Sequence, residues 1–177
     1  GLGGRRGYQP RGKVLGGSSS VNAMIYARGH ASDYDHWAAA GNAGWGWNDV
    51  LPYFLRAEHN ERGASAWHGT DGPLNVADLQ SPQRASRAFV EAGVQAGHPR
   101  NDDFNGAQLE GVGLYQVTHR AGERFSVAKA YLTPHLGRTN LQVVTGAQAT
   151  RILFEGRRAT GVEYRRGGQT QQVRATR

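Results

Sequence analysis

Between Ser81 and Gly97, the residues Ala85, Ala88, Phe89, Ala92 and Ala96 recur every three or four positions, with Arg84, Arg87, Glu91 and Gln95 between them. That period is helical and predicts a helix with one small-residue face. Ser81 is placed to cap it, Pro82 takes the first helical position, and Gly97 ends it ahead of Pro99. A shorter helix is expected over about 33–40, capped by Ser32 and stopped by Gly41. Another starts at Asn48 or Asp49 and runs through Val50, Leu51, Phe54 and Leu55. Pro52 lies near its start, where a missing N–H costs little. A last short helix is expected over 125–132, ended by Pro134.

Beyond residue 140 the pattern changes to alternation, with strands near 141–145, 148–155, 158–164 and 170–174. Glu155-Gly156 and Arg166-Gly167-Gly168 mark the turns. Residues 114–118 also alternate like a strand, and 60–80 read as irregular with a turn at Thr70-Asp71-Gly72-Pro73. The apolar stretch from Val21 to Tyr26, with Asn22 embedded in it, fits a short buried helix or a strand equally well. Helix-rich and strand-rich parts are segregated, which predicts an α+β fold. A meander without a partner layer leaves one face bare, and the expectation is therefore an internal fragment of a larger protein.

Composition narrows the chemistry. The chain has 177 residues and no cysteine, so disulfides, thiolate metal sites and cysteine nucleophiles are excluded. Net charge is +7, but the arginines are scattered. Solvated surface is favoured over a nucleic-acid interface, which stays as the rival reading of a stand-alone basic binding module. A remnant without any ligand is the third. No apolar run approaches the roughly 20 residues of a membrane span.

Several motifs fail their own chemistry. Gly7 to Lys13 nearly spells a phosphate-binding P-loop, but Val14 stands where magnesium needs a hydroxyl, and Pro10 interrupts the loop. The seven histidines lack metal-ligand spacing, so hydrogen-bonding or surface roles are expected and no metal site. Asp33 and Asp35 read as charges near a helix start, and Asp102 and Asp103 as part of a polar loop. Trp37, Trp45, Trp47, Tyr53 and Phe54 are expected to pack two short helices together. Gly16-Gly17-Ser18-Ser19-Ser20 could bring backbone N–H groups to an anion, a weak signal by itself.

Taken in order, these segments resemble one family over essentially the whole chain. The run Pro10-Arg11-Gly12-Lys13-Val14-Leu15-Gly16-Gly17-Ser18-Ser19-Ser20-Val21-Asn22-Ala23-Met24-Ile25-Tyr26-Ala27-Arg28-Gly29 is similar to the first signature of the glucose–methanol–choline (GMC) oxidoreductases, in its choline-dehydrogenase-like form. Gly44-Trp45-Gly46-Trp47, His68-Gly69-Thr70-Asp71-Gly72-Pro73-Leu74, Asp103-Phe104-Asn105-Gly106 and Ala130-Tyr131-Leu132-Thr133-Pro134 follow at matching places.

The resemblance implies an FAD-dependent oxidoreductase that transfers hydride from a primary alcohol, choline among the candidates, to flavin N5. Leu15, Gly16, Gly17 and Ser18 would line the flavin and pyrophosphate through their backbone. Asn22, Ala23 and Met24 would lie along the isoalloxazine ring, and Ala149 would touch the adenine. Some members attach flavin through a histidine just before the signature asparagine; Val21 stands there, which implies dissociable, non-covalent FAD. The Rossmann ADP-binding βαβ unit of the family and its catalytic histidine with a histidine or asparagine partner are absent from the chain, so the fragment alone is expected to be inactive, with no catalytic residue of its own. Its parts would be a flavin-contacting segment (1–60), part of the substrate domain (61–135) and a meander returning to the FAD domain (136–177). The expected partner is a small-molecule alcohol, with no nucleic acid and no metal. Location would be cytoplasmic, with membrane association of the parent left open.

Overall fold

The computed structural model describes residues 3–175, and the chain divides into two units, Gly1–His135 and Leu136–Arg177. The first holds three α-helices and four very short strands; the second holds a three-stranded antiparallel sheet. Mixed helix and sheet, with short helices and a closing antiparallel meander, is the α+β class that the patterning predicts.

Helix α1 (Ala31–Ala39) starts two residues earlier than Ser32 would place it, because His30 is the cap. Its Nδ1 accepts from the Ser32 N–H at 3.2 Å, and the Asp33 carboxylate accepts from the His30 N–H at 3.0 Å. These two bonds satisfy donors that a helix start otherwise leaves unpaired. Helix α2 (Trp47–Ala57) begins after Gly46. The Gly46 N–H donates to Asp49, 3.1 Å, and the Trp47 N–H to Asp35, 2.9 Å. Asp35 thus serves the start of the next helix rather than its own.

Between α1 and α2, Tyr34 is buried, with ring centroids of Trp37, Trp47 and Phe54 at 5.2, 5.5 and 5.8 Å. Trp45 joins through Trp37 at 6.0 Å, and Trp67 through Trp47 at 6.3 Å. The aromatic residues pack two helices as expected, except Tyr53, which is exposed with the Arg56 guanidinium over its ring.

Strands β1 (Glu58–Asn60) and β2 (Leu74–Val76) pair in parallel, Glu58 opposite Leu74. Sequence reading takes this region as irregular, since three-residue strands show no period. Val76 and Ala77 here, with Tyr34, Val90, Val117 and Ala130, make up the small apolar core among the described residues. Residues 114–118 do not form a full strand. Only Val117 pairs, bridging Ile25 on one side and Ala77 on the other, and Gln116 and Val117 are both buried, which breaks the alternation.

Helix α3 (Arg84–Gln95) begins after Gln83, so Ser81 and Pro82 lie ahead of it; Gly97, at φ 94°, follows its end. Its buried face is not the one the small residues trace. Ala85, Ala88, Phe89, Ala92 and Ala96 are all exposed, whereas Val90 is buried. Alanine carries little apolar area with which to choose a face, and the face turned inward is the one on which Gly93 meets Val112. A Cβ on Gly93 would lie 2.9 Å from a Val112 methyl. Gly93→Ala is therefore expected to destabilise the chain by about 1–2 kcal/mol, overpacking outweighing the better helix propensity. Ala92→Ser, on the exposed face, should change little. Urea unfolding checks this, and a stabilised Gly93→Ala variant would contradict it.

The hairpin β3 (His119–Arg120) and β4 (Glu123–Arg124) leads to a π-helical turn, Ala128–Leu132, and a 3-10 turn, Thr133–His135. The expected helix over 125–132 is therefore shorter and wider, and Pro134 lies inside the closing turn rather than beyond it.

In the second unit, β5 (Gln148–Glu155), β6 (Arg158–Arg166) and β7 (Gln169–Arg174) follow in spatial order. Ile152 pairs with Val162, which pairs with Val173, so one row of apolar residues crosses the sheet. Ile152 and Val173 are each more than half exposed. Residues 141–145 are not a strand; no described residue pairs with them in a ladder. Among the described residues, no helix is long and apolar enough to cross a membrane.

Candidate functional site

Residues 12–24 fold into a doubled-back loop. The Gly12 N–H donates to Ser18 Oγ at 3.2 Å, and the Gly17 N–H to the Val14 carbonyl at 2.8 Å. The backbones approach so closely that a Cβ on Gly12 would lie 2.4 Å from the Gly17 carbonyl oxygen. Gly16 and Gly17 take φ of 86° and 56°, a left-handed pair that side chains disfavour. Residues 17–20 then make one 3-10 turn. Successive residues of this kind turn N–H groups to one side of the chain, a form suited to oxyanions. Among the described residues, the N–H groups of Leu15 and Gly16 have no acceptor.

The loop also carries uncovered apolar surface. Val14, Leu15, Val21 and Ile25 are each about half exposed or more. Met24 adopts φ 64°, the left-handed region that a non-glycine residue enters only where its surroundings hold it there. The holding contacts are visible. Its carbonyl accepts from the Thr118 N–H at 2.8 Å, and its own N–H donates to Asn22 Oδ1 at 3.0 Å. With its oxygen engaged, Asn22 has its amide NH2 left for another partner. Unpaired N–H groups, a left-handed glycine pair and exposed apolar side chains are what a cofactor with an anionic and an aromatic part requires. Leu15, Gly16, Gly17, Ser18, Asn22, Ala23 and Met24 all lie in this loop. Ala149 lies in the other unit, on β5, opposite Tyr164 and beside a register shift before Arg151. β5 is an edge strand, so backbone groups there are open to a ligand.

Behind the loop stands a buried polar network that the sequence does not announce. Arg28 and Glu58 form an ion pair at 2.6 Å with both side chains almost fully buried. The Glu58 carboxylate also accepts from Asn60, 3.0 Å, the Gly69 N–H, 3.1 Å, and His68 Nδ1, 3.0 Å. His68 Nε2 reaches Asp103 at 2.9 Å. Arg28 further donates to the Trp67 carbonyl, 2.5 Å, while its carbonyl accepts from Tyr34 Oη, 2.5 Å, and its N–H donates to Asn105, 2.9 Å. Asn60 and Gln116 exchange amide bonds.

Burial by itself would raise the Glu58 carboxyl. The hydrogen bonds from His68 and Asn60, the Arg28 charge and the Gly69 N–H together outweigh it and bring the group below its ordinary value. His68 is raised, first by its hydrogen bond to Glu58, against burial, and further by Asp103. The network therefore joins Arg28, next to the loop's end, to residues on β1 and at positions 68 and 103. Its work is architectural: it fixes the segment from which the loop emerges. Asp103 belongs to it, so the polar-loop reading of that residue misses its partner. His68 fits the hydrogen-bonding role expected of the histidines.

Comparison with known proteins bears on the family of the whole chain. A family model described as GMC oxidoreductase matches residues 2–177. The chain is 52% identical over 176 residues to an oxygen-dependent choline dehydrogenase of Rhizobium etli, covering 99% of this chain and 32% of that protein. It is 50% identical over 170 residues to an alcohol dehydrogenase (acceptor) of Pseudomonas putida, covering 96% and 31%. The chain thus spans about a third of the length of these relatives. Among solved structures, pyridoxine 4-oxidase from Mesorbium loti superposes with a TM-score of 0.84 at 36% identity, over 93% of this chain and 33% of that one. An FAD-dependent oxidoreductase from Chaetomium thermophilum gives the same TM-score at 29% identity, over 94% and 31%. On its sequence, from the first signature to the closing meander, and on its fold, the chain belongs to the GMC oxidoreductase family.

Proposed function

We propose that this chain is the flavin-contacting and connecting portion of an FAD-dependent enzyme that oxidises a primary alcohol to an aldehyde. The observation that carries the reading is the loop of residues 12–24, with its left-handed glycine pair, unpaired N–H groups and uncovered apolar side chains. In this reading Leu15, Gly16, Gly17 and Ser18 line the flavin and pyrophosphate through their backbone, with the N–H groups of Leu15 and Gly16 as donors. Asn22, Ala23 and Met24 border the ring, and the Asn22 amide donates to it. Ala149 meets the adenine through its backbone at the edge of β5.

FAD, when bound, supplies the hydride-accepting chemistry, and the protein supplies binding, orientation and electrostatics. The chain's own residues hold and shape. Val21, with no nucleophilic atom, leaves the attachment non-covalent. The histidines have no proton-transfer role in this reading; His68 is engaged at both ring nitrogens. Residues 1–60 serve the flavin, 61–135 contribute to the substrate domain, and 136–177 return to the FAD domain. By itself the chain turns over no alcohol. The substrate is a small alcohol, with choline the first candidate because a 52%-identical relative is a choline dehydrogenase. The compartment in this reading is the cytoplasm, with membrane association of the parent left open.

The test is anaerobic mixing of the longer enzyme carrying this chain with choline and then with aliphatic, aromatic and sugar alcohols. Bleaching of a flavin spectrum by one of them is the expected result. A flavin that no primary alcohol reduces would overturn the assigned reaction.

A further inference from the structure

Arg124 lies 102 residues from Asn22 in sequence, yet its Nη1 donates to Asn22 Oδ1 at 2.8 Å and to the Ser19 carbonyl at 3.2 Å. We infer that Arg124 is the positioning residue for the proposed flavin-facing amide: it holds the oxygen of Asn22 and so turns the NH2 group outward. This rests on the flavin reading of the loop.

Three features support the assignment. An amide can point either end at a ligand, and two donors on one oxygen, Arg124 Nη1 and the Met24 N–H, remove that choice. The guanidinium fork is rigid and always charged, so it fixes an orientation that a flexible ammonium would not. Finally, Arg124 is half-buried, and among the described residues no carboxylate pairs with it. Its neighbour Glu123 is taken by Lys129 at 2.6 Å. The charge is therefore directed wholly at oxygen atoms of the loop.

The hairpin carrying Arg124 grips the same loop at other points. The Thr118 N–H holds the Met24 carbonyl at 2.8 Å, and just beyond β4 the Val127 N–H donates to Ser19 Oγ at 2.9 Å. The Phe125 N–H closes back on the Thr118 carbonyl at 3.0 Å. Arg124 is the side chain in this clamp that reaches the functional group itself.

The experiment has one readout without cofactor and one with it. In the chain, the side-chain amide resonances of Asn22 are followed by NMR, assigned by their loss in Asn22→Ala. They should shift in Arg124→Met and return toward the wild-type position in Arg124→Gln, which keeps an N–H donor. If Arg124→Met fails to fold, Arg124→Ala is read in its place, with the same shift expected. In the longer enzyme, Arg124→Met and Asn22→Ala should each weaken FAD binding about tenfold, and the double variant should be little weaker than either, since coupled residues are not additive.

Resonances that ignore both Arg124 variants, or a double variant weakened about a hundredfold as independent sites would be, overturns the inference. A protein that binds no FAD while the Asn22 amide still responds to Arg124 sinks the flavin reading and upholds the positioning. Normal FAD binding with an unresponsive amide does the reverse.

Discussion

Glu58→Gln should lower the stability of the chain by about 3–5 kcal/mol, the largest effect expected of any single polar substitution, because it leaves the buried Arg28 charge without its counter-ion. Arg28 and Glu58 are 2.6 Å apart with essentially no exposed side chain. An uncompensated charge there can neither reach water nor lose its proton. Chemical denaturation with a constant slope measures the loss, and a change below about 1 kcal/mol would show the pair to be more hydrated than the structure has it. The same network sets a pH window. Glu58 is lowered, so its contribution is present above the ordinary carboxylate value and fades as pH falls through the folded one. His68 is raised, so its contribution is full below the ordinary imidazole value and fades as pH rises through the folded one. Stability from this network is therefore greatest between about pH 4.3 and 6.5. Glu58→Gln should flatten the alkaline side of that profile, since it removes the main cause of the His68 shift.

The second large effect belongs to the loop. Gly12→Ala in the longer enzyme should weaken FAD binding about tenfold or more, a cost of at least roughly 1.4 kcal/mol. Its Cβ would fall 2.4 Å from the Gly17 carbonyl oxygen and 2.9 Å from the Ser18 nitrogen, so the doubled-back loop must open. Both obstacles are backbone atoms and cannot rotate aside. Gly137→Ala is the control, because a Cβ there meets nothing within 4 Å. Equilibrium titration of the apoprotein with FAD separates the two variants. Equal affinities would mean that the close approach at Gly12 does not shape the site.

How much of this was legible depends on how local the signal is. The signature loop could be read because its glycines, its embedded asparagine and their spacing are contiguous. The closing hairpins were legible too, since turn glycines separate strands long enough to alternate. Residues 141–145 have the same apolar character and form no ladder, because a strand needs a partner and the sequence does not say which segment supplies one. On α3 the period was right and the face wrong, since the contact that chooses it, Gly93 against Val112, is tertiary. The cap of α1 passed to His30, whose ring nitrogen accepts from the N–H of Ser32, the residue expected to cap.

The polar network was invisible for a different reason. Arg28, Glu58, His68 and Asp103 are spread over 76 positions, and each alone reads as a solvated charge. Only the fold reveals that they meet in one network around the buried Arg28–Glu58 pair. Arg124 and Asn22 are hidden in the same way. Asn22 stands in a motif, whereas the residue that orients it sits on a two-residue strand with no motif of its own.

The central claim is that the loop of residues 12–24 holds a dissociable FAD. The most direct measurement is to purify the longer enzyme carrying this chain, denature it with acid, and ask where the flavin goes. The account predicts FAD near one equivalent per chain, released into the supernatant and leaving a colourless precipitate, in keeping with Val21 at the position before Asn22. Flavin that stays with the precipitated protein would contradict the non-covalent site. A protein that carries no flavin and takes none up would contradict the claim as a whole.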